Sequence, residues 1–209
     1  MSVAARKPWP LRWIVATILL FIVPYTYVNL KFRKPTPAFE PYADMKEQAN
    51  VKRLLDAGYT RVSIAAERPH PALPAERLLS AGGLRAVVST APGGLPRPLD
   101  TTLVELPRLP AGYADLVAPA ELAAHESARL QFTARVEGDH EQLGGAAVYI
   151  RDDQVVIVPA FEPVPGDLRA RTREGNVLLT LPAGLLAPGQ HHFTLAGSRD
   201  SLRWTVLVR

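Results

Sequence analysis

Five histidines, His70, His125, His140, His191 and His192, are the side chains of this 209-residue sequence best suited to metal binding or to proton transfer near neutral pH. His191 and His192 adjoin in "PGQHHF". In a strand, adjacent side chains point to opposite faces, so the two cannot chelate one ion without a bulge. His191 shares its face with Phe193 and Leu195, which predicts a buried, hydrogen-bonded core histidine. "EGDHEQ" gathers Glu137, Asp139, His140 and Glu141 in one loop. It lacks the ligand spacing of an EF-hand and reads as a solvated turn.

Other chemistries have less material. Cysteine is absent, which removes disulfides, thiolate metal sites, thiol nucleophiles and a lipidated cysteine. Met1 and Met45 are the only methionines, too few for a copper-carrying surface. No glycine-rich phosphate loop precedes a helix, and neither a nucleophile elbow nor HExxH occurs. "APGGLP" (91–96) is bracketed by prolines and reads as a turn. The expectation is a non-catalytic protein with no catalytic, cofactor or metal residues and no small-molecule substrate.

The elements that would position such residues begin with "LRWIVATILLFIVPYTYVNLKFRKP" (11–35). No residue from Trp13 to Leu30 is charged. A helix over 11–30 rises about 30 Å, the hydrocarbon thickness of a bilayer. Trp13 at one end and Tyr25 and Tyr27 at the other suit the two interfaces, and Arg12, Lys31, Arg33 and Lys34 suit the head groups beyond them. Bulky and basic residues follow the apolar run where a cleavage site would need small ones, so an uncleaved anchor is expected. Pro24 cannot donate to the Leu20 carbonyl, which predicts a kink there.

Charge supports a membrane partner over a nucleic acid. Arg6, Lys7, Arg12, Lys31, Arg33 and Lys34 all lie in residues 1–34, which contain no acid, whereas the whole chain is only +4. The remainder is therefore slightly acidic and has no phosphate-binding footprint. Basic residues flank both ends of the span equally. The free amino terminus, and the ease with which long C-terminal domains translocate, favour a cytoplasmic N-terminus and an extracytoplasmic C-terminal domain.

Residues 31–112 read as a linker followed by a small α/β or irregular lobe. Tyr42, Met45, Ala49, Leu54 and Leu55 recur at helical spacing, Gly58 is a C′ residue, and "TRVSIA" is a strand. "RLLDAGYTRVSIA" (53–65) resembles "RLLSAGGLRAVVS" (77–89), which suggests a repeated helix–strand unit. "RPHPALP" between them reads as a spacer. From Tyr113 the period becomes two. "RLQFTARV" sets Leu130, Phe132, Ala134 and Val136 against Arg129, Gln131, Thr133 and Arg135. "AAVYIRDDQVVIVP" is a hairpin turning at Asp152-Asp153. "NVLLTL" sets Val177, Leu179 and Leu181 together, "QHHFTLA" alternates, and "SLRWTVLV" sets Leu202, Trp204, Val206 and Val208 inward. About seven short strands over 113–209 predict an all-β, immunoglobulin-like sandwich.

With "RKPWPLRW" before one membrane helix and "PYADMKEQANVKRLL" after it, the layout resembles the FixH-like proteins, membrane-anchored accessory proteins of heme–copper oxidase maturation. Pro8-Trp9-Pro10, Tyr42 and Asn50 carry the resemblance; Ala43 and Lys46 depart from it. It implies an accessory or assembly role in a membrane complex, with the lipid bilayer and another membrane protein as partners and no catalytic residue to carry over. The competing reading is a cell-envelope module that recognises a glycan or protein, with the helix as a tether.

Overall fold

The computed structural model describes residues 10–31, 42–79, 83–136, 141–163 and 174–209. The chain divides into two units, Met1–Met45 and Lys46–Arg209.

The first unit carries helix α1, Leu11–Lys31. It runs through Pro24 as one helix. Thr17 Oγ1 donates to the Trp13 carbonyl at 2.8 Å, so the hydroxyl is satisfied within the helix. No residue of the Arg12–Asn29 window is buried, and this is the one helix among the described residues long and apolar enough to cross a membrane.

Helix α2, Tyr42–Asp56, ends as the sequence predicts. Gly58 adopts φ +77°, its N–H bonds to the Leu55 carbonyl at 3.0 Å, and Tyr59 N–H bonds to the Leu54 carbonyl at 2.8 Å. Those two bonds are a Schellman motif, and Leu54 and Tyr59 supply its usual hydrophobic contact, both being buried in one cluster.

After α2 come strand β1 (Thr60–Glu67), the short helix α3 (Ala75–Leu78), β2 (Ser89–Pro92), α4 (Arg97–Thr102), β3 (Gly112–Val117) and β4 (Glu121–Leu122). Then follow β5 (Ala128–Arg135), β6 (Glu141–Arg151), β7 (Gln154–Pro163), β8 (Glu174–Leu181), β9 (Gly189–Leu195) and β10 (Asp200–Val208). They form one ten-stranded sheet in the order β2-β10-β9-β7-β6-β1-β8-β5-β3, with β4 also on β10. The β6–β7 hairpin turns at Asp152-Asp153, between the paired Arg151 and Gln154.

The sheet curls so that its far strand, β3, meets the turn between β9 and β10. Ser198 N–H bonds to the Pro110 carbonyl at 2.7 Å, and Tyr113 Oη donates to the Ala196 carbonyl at 2.5 Å. The enclosed core takes Leu130, Phe132, Val148, Ile157, Leu179 and Trp204, among others. Of these, Leu130, Phe132, Leu179 and Trp204 are inward positions expected from the alternation in β5, β8 and β10.

Three expectations are corrected. An immunoglobulin-like sandwich keeps two antiparallel sheets apart; here β7 and β9 run parallel, and β1 joins the two halves of one sheet. β1 pairs with β6 over Thr60–Ala65 and with β8 over Ala66–Glu67. For the same reason the strands expected in a separate small lobe before residue 113 belong to the sheet: β1 is an interior strand, and β2 pairs with β10 from Asp200 to Arg203. The proposed repeat also diverges. Arg61–Ala65 lies wholly in β1, whereas the aligned Arg85–Ser89 reaches a strand only at Ser89.

The outer face of β6 and β7 is buried as well. Ala147, Tyr149, Val156 and Val158 pack there against Leu54 of α2 and Leu99 of α4. Strands buried on both faces lose the polar alternation, which accounts for the unbroken apolar runs "AAVYI" and "VVIV". Asn50, itself buried, accepts a hydrogen bond from Val104 N–H at 2.6 Å and ties α2 to the segment after α4. Arg61 pairs with Glu47 and lies over the Tyr149 ring, 5.8 Å from its centre.

Candidate functional site

β9 and β10 pair antiparallel, with His192 opposite Thr205 and Thr194 opposite Arg203. The inward members of this pair include Phe193 and Trp204, whose rings stack with centres 5.2 Å apart. Alternation then turns His192, Thr194, Arg203 and Thr205 to the outer face. Gln154 joins them because β7 runs parallel to β9, in register with His192.

A wall stands beside this face. Ala86 N–H bonds to the Ala118 carbonyl and Ala120 N–H to the Leu84 carbonyl, both at 2.8 Å. Ser89 of β2 then pairs with Arg203. Segment 84–89 is thereby held along the outer face and encloses, with Pro96, a groove of about 820 Å³. Arg85 and Arg203 line it and, among the described residues, no Asp or Glu does. Arg85 Nη2 donates to the Leu116 carbonyl at 2.5 Å, which fixes its guanidinium on the wall. Leu84 and Val87 on the same wall are 67% and 90% exposed.

At one end, Thr205 Oγ1 lies 3.4 Å from His192 Nδ1, and His192 Nε2 lies 3.7 Å from Asp153 Oδ2. Hydroxyl, imidazole and carboxylate are the components of a nucleophile relay, but such relays close to about 2.6–3.2 Å. All three groups are also open to solvent. These contacts are longer than those of a closed relay, and the arrangement orients His192 toward Thr205 and Asp153.

His191 is where the sequence placed it. It is buried on the inner face, and its Nε2 lies 2.8 Å from the Ala187 carbonyl. Among the described residues no group of three or more His, Asp or Glu side chains could hold a metal ion. The Glu137–His140 part of the acidic loop lies outside the described residues.

The expected anchor residues Arg12, Trp13, Pro24, Tyr25, Tyr27 and Lys31 all lie on α1. Trp13, Tyr25 and Tyr27 are exposed, and Lys31 Nζ sits 5.7 Å from the Tyr27 ring centre. Arg33 and Lys34 lie outside the described residues. The groove is a separate site that sequence reasoning missed. Its residues come from segment 84–89, β7, β9 and β10, and only the outward polar positions of β9 and β10 hinted at it.

Comparison of the chain with protein-family models, with curated proteins and with solved structures gives no match.

Proposed function

We propose that the chain is a single-pass, membrane-anchored, non-catalytic accessory or assembly factor of a membrane complex. The observation that carries this reading is α1. Leu20 and Phe21 are 71% and 70% exposed, and a contiguous apolar surface of this extent is stable in lipid rather than in water. Pro24 supports a docking role for the helix beyond anchoring. It denies the Leu20 carbonyl an intrahelical partner, a deficit that a neighbouring membrane helix can meet. The resemblance around residues 8–10, 42 and 50 points to a heme–copper oxidase as the complex. The N-terminus is cytoplasmic and Lys46–Arg209 extracytoplasmic in this reading, as the translocation argument favours.

The test is to replace Trp13–Leu30 with an unrelated Leu/Ala span of equal length. Membrane location and the fold of the β unit should survive, and co-purification with the partner complex should be lost. Survival of co-purification reduces the helix to a tether. A reporter fused after Arg209 should be active only outside the cytoplasm.

The groove favours a second reading, in which the β unit is a cell-envelope recognition module. Under that reading the helix swap leaves activity intact, and substitutions in the groove abolish it.

A further inference from the structure

The outer face of β9 and β10 needs nothing but water to satisfy its polar side chains, yet segment 84–89 walls it in. The volume of this open groove, about 820 Å³, falls within the ~300–1,000 Å³ usual for small-molecule sites. Its charge is one-sided. Arg203 is exposed and, among the described residues, has no carboxylate in ion-pair range. Arg85 is held by a backbone carbonyl rather than by an acid, so its charge is not neutralised. Thr205 and Gln154 add hydroxyl and amide groups on the same lining, while the Ser89 hydroxyl donates to the Arg203 carbonyl at 3.2 Å. Guanidinium groups with neighbouring hydroxyls are the chemistry that recognises phosphate and carboxylate oxygens. Asp153 is not on the lining, but its carboxylate lies 3.7 Å from His192 Nε2. Arg203 lies two positions along β10 from Thr205, the residue facing His192, so an anion sits toward the arginines.

The wall adds an apolar element. Val87 projects with almost no cover and Leu84 is largely exposed, and exposure of branched aliphatic side chains in a cationic groove is unfavourable until something apolar lies against them. From these observations we infer that the groove binds an amphiphilic oxoanion. Its phosphate contacts Arg85 and Arg203, and its aliphatic part lies along Leu84 and Val87. The site is independent of what α1 docks against. The anion comes either from a membrane phospholipid headgroup or from a soluble amphiphile.

Titration calorimetry on the full chain in an uncharged detergent tests this, with hexyl phosphate, dihexanoylphosphatidic acid and inorganic phosphate as probes. At least one amphiphile should bind about tenfold or more tighter than inorganic phosphate, and Arg203→Gln should weaken it about tenfold or more. Val87→Asp should weaken the amphiphiles and leave inorganic phosphate unchanged. Tighter binding of the phosphatidic acid assigns the lipid source; equal or tighter binding of hexyl phosphate assigns the soluble one. Arg203 is exposed on its strand, so circular dichroism of Arg203→Gln should match the parent, and Arg85→Gln provides a second, independent loss. Absence of binding, affinity unchanged in both arginine variants, or inorganic phosphate binding as tightly as the amphiphiles overturns the assignment.

Discussion

Gln131 and Leu73 pair as two strand residues would. Leu73 N–H donates to Gln131 Oε1 at 2.9 Å, and Gln131 Nε2 donates to the Leu73 carbonyl at 3.0 Å. The side-chain amide thus stands in for a backbone peptide, and both backbone groups of Leu73 are satisfied. The pairing carries the 69–79 segment over the outer face of β5 and β8, where Leu78, Val117 and Leu178 close a small cluster. Gln131 is 5% exposed as a result, although the alternation of β5 sends it away from the main core.

Replacing Gln131 with Leu keeps the volume and removes both bonds. Leu73 then carries an unsatisfied donor and acceptor, and stability should fall by about 1–3 kcal/mol. Gln131→Glu keeps the acceptor alone and should still destabilise. Urea unfolding of the full chain in detergent, followed by tryptophan fluorescence, measures both; an unchanged midpoint for Gln131→Leu refutes the pairing.

Gly145 and Gly175 provide a matched pair. A Cβ at Gly145 would stand 2.7 Å from the Ile64 carbonyl oxygen, a backbone atom of β1 that cannot turn aside. Gly175 has nothing within 4 Å. Gly145→Ala should cost about 1–3 kcal/mol by forcing β1 and β6 apart. Gly175→Ala should be neutral or slightly stabilising, within about 0.5 kcal/mol. The thermal midpoints of the two variants decide the matter.

Tyr113 couples the closure of the sheet to pH. Burial pushes its phenol well above the ordinary tyrosine range. Unfolded tyrosine titrates near ~10. Below that pH both states hold the proton and the stabilisation is complete. Above it the unfolded state releases the proton while folded Tyr113 keeps it, so stability falls by up to about 1.4 kcal/mol per pH unit. Tyr149, also raised by burial with Arg61 opposing, acts in the same direction. Tyr113→Phe should cost about 1 kcal/mol at neutral pH through the lost bond to Ala196. It should also flatten the alkaline loss of stability without abolishing it; an unchanged slope above pH 10 contradicts the assignment.

His191 is a structural residue in this fold. His191→Ala should lower stability by about 1–3 kcal/mol through the lost contact with Ala187 and the space left behind. Zinc or copper should leave the melting temperature of the parent protein unchanged. A metal-dependent rise that disappears in the variant would reassign His191 as a ligand.

The inward residues of β5, β8, β9 and β10, the close of α2 at Gly58, the turn at Asp152-Asp153 and the long apolar helix were all determined by the sequence alone. Each depends on local physics: strand alternation, a left-handed C′ residue, a two-residue hairpin turn, and a charge-free run as long as a bilayer is thick. The tertiary structure alone decided how strands far apart in the chain combine. It set β1 between β6 and β8, ran β7 parallel to β9, and brought β2 to β10. It also buried Gln131, which the alternation of β5 assigns to the polar face, and made a groove from residues between 84 and 205. A strand's pattern reports whether each of its faces is wet or dry, not which distant segment dries it. The unbroken apolar runs of β6 and β7 were the one place where a second buried face was already written. Their cover, α2 and α4, lies some 40 to 100 residues away, and only the folded chain brings it there.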